Sequence, residues 1–328
     1  MKTHLLTTCL IACCGALVSG CATRPMASPR PASASAPAPE DLFAKPTPFD
    51  RARLAGLHSE FEGSVSNLNL SWVSGIGEPA IPTLVQLAGD RTLPALSRNL
   101  ALVVLGNAMA KAGLYNHPDG RNDLIVPVLY ESMGDQDSQV RGSAAYASRF
   151  IHDPRLVPVL EALLQDKKGV QEQAVLGLGS NGGQEDVLPI AKLFFATDNG
   201  KFRLSCIYAL ATMSLDRGVD VAGVLRDNKM EFSDEKQSNV QRVTERFAGF
   251  EVLRDLVKQL DAPDAATRRQ AAEELRARAK AGIVFNPEAD EATRAEAIQR
   301  WREYLLKDYW RAPRPKTLQP PAPPAGTP

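Results

Sequence analysis

The sequence predicts an all-α fold, and three observations support this. From residue 50 to residue 311, apolar residues recur at three- and four-residue spacing, the period of helices with one buried face. A sustained alternation of β-branched and polar residues, which is typical of strands, does not occur. Similar helical segments also recur along the chain, which is typical of stacked helix pairs. With 328 residues, 44% of them hydrophobic, the chain can bury a substantial core.

Five nine-residue segments carry the repeat, and they begin at Ser97, Val140, Val170, Phe202 and Thr267. Their second position is polar and is occupied by Arg98, Arg141, Gln171, Arg203 and Arg268. Their fifth position is small and is occupied by Ala101, Ala144, Ala174, Cys206 and Ala271. Positions one, five and nine are predicted to form one buried stripe, because they share a helix face. The small fifth residue lets neighbouring helices approach closely, and the arginines are predicted to bond turn carboxylates between repeats.

A companion set of helices lies between these segments and carries a proline after an aliphatic residue. The prolines are Pro82, Pro127, Pro158 and Pro189. Proline is tolerated in the first turn of a helix, where its missing N–H has no intrahelical partner. The four prolines therefore predict four helix starts, and each repeat then contains one helix pair.

An aliphatic-proline helix that ends in Asp and is followed by V-R-x-x-A-A-x-x-L resembles the HEAT repeat, in the short variety named for phycobilisome lyases. The resemblance covers about Gly75 to Leu215 and implies a right-handed α-solenoid of HEAT-like helix pairs, an armadillo-like superhelix. Two stretches depart from it. The stretch 107–123 is predicted to be an inserted loop, and the unit around Asp234 to Phe250 has lost the repeat signature.

The last helical segment is built on Ala295, Ile298, Trp301, Tyr304 and Leu305. It resembles a closing module of bacterial HEAT-like proteins, in which an F-x-P-x-A turn precedes an A-I-x-R-W helix. We expect it to cap the stack, because a terminal repeat must present a polar outer face.

The first residues predict export. Met1-Lys2 is followed by an apolar stretch that ends at Val18 and is too short to span a bilayer, which is typical of a secretory signal. Val18-Ser19-Gly20-Cys21 resembles the lipobox of bacterial lipoproteins. The resemblance implies cleavage before Cys21 and lipidation of its sulfur. Ala22 implies sorting to the outer membrane of a Gram-negative bacterium, with the chain facing the periplasm.

Composition divides the chain into four parts. We expect a lipoprotein signal peptide at 1–20, a Pro/Ala/Ser-rich tether at 21–49, the HEAT-like helical domain with its cap at 50–311, and a disordered Pro-rich tail at 312–328. The tether and the tail have no apolar period and cannot bury a core.

Several function classes are disfavoured by the residues present. Zero formal net charge and 6% aromatic residues argue against a nucleic-acid partner. The cluster from Asn116 to Asp123 is rich in carboxylates, but its spacing does not match a calcium loop, so a surface loop is the better interpretation. His152-Asp153-Pro154 is typical of a turn. Cys206 aligns with alanines and is predicted to be buried and inert. We therefore expect no enzyme activity, metal or cofactor.

Position seven of the repeat is the candidate binding column. Its residues are Val103, Tyr146, Leu176 and Tyr208, which could form an apolar and aromatic strip that holds a peptide or helix of a partner protein. The alternative is that these side chains pack against the next repeat. The predicted function is a membrane-anchored periplasmic scaffold for protein–protein interaction. The alternatives are a ligand or chromophore carrier of the lyase type and a structural envelope lipoprotein.

Overall fold

The computed structural model describes residues 44–45, 47, 53–54, 56–57, 71–116, 121–279 and 281–311. The predicted signal peptide, Cys21, most of the tether and the predicted tail lie outside the described residues. Within these ranges every regular element is a helix and no strand occurs, which confirms the all-α prediction.

We number the α-helices from Ser71 onward. They are α1 Ser71–Ile76, α2 Ile81–Gly89, α3 Ala95–Ala112, α4 Arg121–Met133, α5 Ser138–Ala147, α6 Val157–Leu163, α7 Lys168–Asn181, α8 Val187–Ala196, α9 Gly200–Arg217, α10 Val221–Asp227, α11 Asp234–Gln259, α12 Ala265–Ala279 and α13 Glu291–Glu303. The chain divides into two compact units, the first ending at Asp153 and the second beginning at Pro154.

The first unit contains α1 to α5, arranged as helix pairs in two layers. Helices α2 and α3 form one pair, and α4 and α5 form the next. Helix α3 packs against α5 in one layer, while α2 packs against α4 in the other. Helix α1 lies against α3.

The second unit repeats this arrangement with α6/α7, α8/α9 and α10/α11 as its pairs. Helices α7, α9 and α11 follow one another in one layer, and α8 packs against α10 in the other. Helices α12 and α13 both contact α11. The stretch around Asp234 to Phe250, which lacks the repeat signature, forms part of the single 26-residue helix α11.

Three of the four prolines lie where the sequence predicts them. Pro82, Pro158 and Pro189 occupy the first turns of α2, α6 and α8. The prediction for Pro127 is wrong, because α4 begins at Arg121 and Pro127 lies inside it. There the missing N–H removes an interior hydrogen bond of the helix.

The predicted loop at 107–123 is also wrong at both ends, because 107–112 belong to α3 and 121–123 belong to α4. Helix α3 continues to Ala112 and ends at Gly113, whose φ of 65° is the left-handed conformation that glycine favours at helix ends. The cause is burial, since Ala108 and Met109 are fully buried and extend the apolar face of α3 by one turn.

The predicted buried stripe is confirmed with one exception. Positions one, five and nine are buried in all five segments except at Thr267, which is partly exposed. Cys206 has no exposed surface, as its alignment with alanines predicts.

Two helix pairs, α3/α5 and α7/α9, approach closely at position ten, where the first helix carries glycine. A Cβ atom added to Gly179 would lie 2.8 Å from the Cα atom of Ala209. A Cβ atom added to Gly106 would lie 3.2 Å from the Cα atom of Ala147. Both alanines occupy position eight of their own segment, so the two contacts have the same register.

Polar contacts follow the same register. In the first unit, the hydroxyl of Ser143 at position four donates to Asn99 Oδ1 at position three of the preceding segment. In the second unit, the hydroxyl of Ser205 donates to Glu172 Oε1 over 2.8 Å, and these residues hold the same two positions. The two units therefore contain an interhelical hydrogen bond between the same two positions, with an amide acceptor in the first and a carboxylate acceptor in the second.

The first prediction concerns the glycine contact. Gly179→Ala places a methyl group against the backbone of α9, and we expect the free energy of unfolding to fall by about 1–3 kcal/mol. Gly169 lies on the same helix and an added Cβ meets nothing within 4 Å, so Gly169→Ala should leave stability equal or raise it by up to about 1 kcal/mol. Urea unfolding followed by circular dichroism measures both. Equal midpoints for Gly179→Ala and the wild type would contradict the close contact.

Candidate interaction surface

The position-seven residues are all half-buried, and they lie as one pair in each unit. Val103 and Tyr146 lie on the packed helices α3 and α5, and Leu176 and Tyr208 lie on the packed helices α7 and α9. Each side chain therefore contacts its surroundings and keeps part of its surface exposed.

Tyr146 packs against the neighbouring repeat. Its hydroxyl donates to Asn107 Oδ1 over 2.8 Å, and its ring lies against Gly106. The ring also makes an edge-to-face contact with Phe150, with the centroids 5.2 Å apart, and the guanidinium of Arg149 lies 5.7 Å from its centroid. In the first unit, the packing alternative thus accounts for most contacts of this residue.

The second unit has a more accessible apolar surface. Leu204 is 59% exposed and lies on α9 one turn before Tyr208, so the two side chains share a helix face. Leu176 occupies position seven on α7, which packs against α9. We call Leu176, Leu204 and Tyr208 the α7/α9 strip. Sequence analysis missed Leu204, although its position one turn before Tyr208 was a signal for it.

Charged residues accompany the strip. Glu172 precedes Leu176 by one turn on α7 and is half-buried. Lys201 Nζ on α9 lies 3.8 Å from Glu172 Oε1, and the lysine side chain is largely exposed. An apolar centre with a charged edge is the usual composition of a protein interaction surface.

The side chains at position two of the repeat bind the turns between helices. In four segments this side chain donates to a backbone carbonyl of the turn before its own helix. These bonds are Arg98 Nη1 to Leu93 O at 2.6 Å, Arg141 Nη1 to Asp135 O at 2.7 Å, Gln171 Nε2 to Leu164 O at 2.6 Å and Arg268 Nη1 to Pro263 O at 2.7 Å. In the fifth segment Arg203 instead stacks over Phe194, 4.7 Å from its centroid. The structural role predicted for these residues is therefore correct, but most of their bonds go to carbonyls.

Asp135 is the one turn carboxylate that a position-two arginine bonds in these contacts. Arg98 Nη2 donates to it over 2.9 Å and Arg91 Nη1 over 2.6 Å, while the amide of Asp137 donates over 2.9 Å. Burial alone would raise the pKa of Asp135, but the Asp137 amide and the Arg98 guanidinium hold it below its usual value.

Two carboxyl groups of the second unit have the opposite electrostatic environment. Asp186, at the start of α8, has no exposed surface, and its Oδ2 accepts the amide of Gly183 over 2.7 Å. Burial raises its pKa to about 6, against the effect of that amide, and the neighbouring Glu161 raises it further. Its Oδ1 has no hydrogen-bond partner.

Glu251 of α11 is the second such group. Its Oε1 accepts the amide of Ala222 over 3.1 Å at the start of α10. Burial raises its pKa to about 7; Asp220 adds to this effect, while backbone amides and Arg254 oppose it. Neither carboxyl group is among the residues that the sequence predicts, because their partners are distant in sequence and no local pattern joins them.

The other candidate groups have structural surroundings. Burial, with a smaller effect of Glu172, raises the pKa of Cys206 to about 12, so its thiol stays protonated at neutral pH. Asn122 Nδ2 donates to the carbonyl of His152 over 3.0 Å, which ties down the predicted turn. Residues 117–120 of the predicted surface loop lie outside the described residues, and the loop prediction is wrong for 121–123, which form the first turn of α4.

Within the described ranges, His, Cys, Asp and Glu form no group of three or more that could hold a metal ion. Nor is any helix in those ranges both long and apolar enough to cross a membrane. Comparison with known protein families finds no family model that matches the chain, and comparison with curated proteins finds no match. The function is therefore argued from the residues themselves.

The second prediction separates packing from binding at Tyr146. Tyr146→Phe loses the bond to Asn107 and should lower the free energy of unfolding by about 1 kcal/mol. Tyr146→Ala also removes the ring from Gly106 and Phe150, and should cost roughly 2–4 kcal/mol. Tyr130→Ala is the matched control, because Tyr130 is 48% exposed in the same unit and should change stability little. If Tyr146→Ala unfolds at the same urea concentration as the control, the packing role is excluded.

Proposed function

We propose that this protein is a lipid-anchored scaffold of the outer membrane that faces the periplasm and binds another protein through HEAT-like helix pairs. The observation that carries the proposal is the repeated contact register. In both units a position-ten glycine lies against a position-eight alanine, and a position-four serine donates to position three. Such nearest-neighbour stacking is the construction of solenoid repeats.

The solenoid supplies the binding surface in this proposal. Stacked helix pairs bury their apolar residues against neighbouring pairs. One face of a whole layer of helices therefore stays exposed to solvent. Repeat proteins of this kind bind partners along that face. The right-handed, HEAT-like superhelix is the arrangement that the sequence resemblance implies for these pairs.

The α7/α9 strip is the place where we propose that the partner binds. Single exposed apolar residues are ordinary on protein surfaces. Leu204, however, is 59% exposed and shares a helix face with the half-buried Tyr208, and the half-buried Leu176 lies on the helix that packs against theirs. Aromatic and aliphatic side chains gathered at the centre of an interface contribute most of its affinity.

Lipid anchoring through Cys21 rests on the lipobox resemblance and defines the compartment. The remaining cysteine of the mature chain, Cys206, is fully buried. In the proposed mature chain, Cys21 is then the one accessible cysteine, so no intramolecular disulfide forms in the oxidising compartment. The domain is therefore stabilised by packing.

The third prediction tests the anchor. Cells that express the full chain and grow with an alkyne-bearing fatty acid should label the wild type and retain it in the membrane fraction. Cys21→Ala should lose the label and leave that fraction. Cys206→Ala should keep both, because Cys206 is buried and alanine is found at its position in the other segments. A labelled Cys21→Ala variant, or an unlabelled wild type, would contradict the anchor.

The fourth prediction tests the strip. Leu204→Asp places a charge in the proposed interface and should reduce recovery of a crosslinked partner from the envelope by roughly tenfold or more. Val284→Asp is the matched control, since Val284 is 78% exposed in the same unit and lies outside the strip. Mass spectrometry of crosslinked complexes measures both variants.

Both substitutions should leave the urea midpoint unchanged, because they replace exposed side chains. Equal recovery of the same partner with Leu204→Asp and with Val284→Asp would move the binding surface away from α7 and α9. A loss of stability with Leu204→Asp would instead show that Leu204 is a packing residue.

A further inference from the structure

The second unit contains two places where a carboxyl group that is fully or half buried lies beside another carboxyl group. One is Asp186 with Glu161, and the other is Glu251 with Asp220; we call them the acid pairs. They lie at the turns that precede α8 and α10, two helices that pack against each other.

The turn before α8 encloses Asp186 completely. A Cβ atom at Gly182 would lie 2.6 Å from Asp186 Oδ2, so the backbone closes tightly around the carboxyl group. Oδ2 accepts the Gly183 amide, whereas Oδ1 is buried and has no donor. An ionised carboxylate with one oxygen unpaired is costly in such a place, and a proton on either member of the pair would supply the missing donor.

The charged groups around Asp186 do not offset the negative charge of its ionised carboxyl group. Glu161 on α6 and Glu185 on the same turn are both acidic and both oppose its ionisation. The one basic side chain of α8, Lys192, is bonded to Glu231 over 3.0 Å. The charged residues of α7, Lys168 and Glu172, lie towards its opposite end.

The turn before α10 also holds two carboxyl groups, the exposed Asp220 and the half-buried Glu251. Asp220 Oδ1 accepts the amide of Gly223 over 2.6 Å, and Glu251 Oε1 accepts the amide of Ala222. Two carboxyl groups therefore share the first amides of one short helix. Each accepts an amide that has no partner within the helix.

Cations compensate this second pair only in part. Arg254, one turn along α11, is already bonded to Asp255 over 2.7 Å and to Ser214 Oγ over 2.9 Å. Lys258 Nζ lies near Gly218. On α9, Asp216 is paired with Arg302 of α13.

We propose that the acid pairs form a pH-sensitive switch. The turns that precede α8 and α10 keep their closed conformation while one member of each pair is protonated, and they open when both members ionise. This inference goes beyond the proposed function and does not depend on it.

The direction of the effect follows from proton linkage. Asp186 and Glu251 have raised pKa values, about 6 and about 7, so the closed turns bind protons more tightly than opened ones. The stabilisation by these protons is complete below the ordinary carboxyl range near pH 4 and is lost as the pH rises through about 6 to 7.

The fifth prediction uses hydrogen–deuterium exchange of the full chain at about pH 5 and about pH 7.5, corrected for intrinsic exchange rates. Protection of peptides that cover 183–190 and 220–226 should fall on the order of tenfold between these two pH values. Peptides from α3 and α5 of the first unit, where Asp135 is paired with arginines, provide the internal control and should show no such fall.

Neutral variants assign the effect to each pair. In Asp186→Asn and Glu251→Gln, the amide imitates the protonated acid by keeping the accepting oxygen and adding an N–H donor. Each variant should lose the pH dependence in its own turn and keep it in the other turn. Each variant is thus the control for the other.

A third variant, Glu161→Gln, tests the first pair from the exposed side without changing the turn itself. It should keep the 183–190 segment protected at about pH 7.5, because the repelling charge is gone. A wild-type chain whose protection does not change with pH would overturn the proposal. So would a pH dependence that survives in both neutral variants.

Discussion

The contact between helix backbones at position ten is the constraint on which the repeat depends. Because Gly179 has no side chain, the backbone of Ala209 packs against it more closely than the methyl group of an alanine would allow. Gly106 and Ala147 form the corresponding contact in the first unit. This contact sets the register between neighbouring helices of one layer, and the register then places the serine at position four within reach of position three. It also leaves position seven at the edge of the contact, which explains why those residues are half-buried rather than buried or free.

A second constraint acts at the turns. The last carbonyls of a helix have no intrahelical partner, and side chains at position two of the following helix supply donors to the turn. A guanidinium can bond several groups at once, as Arg98 does with Leu93 and Asp135, so it links two turns. Arg203 differs, because its guanidinium stacks over the ring of Phe194.

The parts of the fold that could be predicted from sequence are those that depend on local spacing. The all-α class, the buried stripe, the burial of Cys206 and three proline positions follow from helical period and backbone chemistry. Pro127 and the 107–112 segment could not be placed, because helix length depends on tertiary burial of residues such as Met109. The same limit applies to Tyr146, whose role depends on Asn107 of another helix, and to the acid pairs, whose members come from different elements.

The strip and the acid pairs share the second unit but are mechanically separable. The turn that holds Asp186 begins directly after α7, where the amide of Gly182 donates to the carbonyl of Leu178 over 2.6 Å. Between that turn and Leu176 lies Gly179, which is held against the backbone of Ala209. Opening of the turn must therefore stop at this contact unless the α7/α9 register itself is lost, because packed backbones do not deform gradually. Under the two proposals, proton loss at Asp186 loosens the start of α8 and leaves the strip in place, so we expect partner binding and pH response to vary independently.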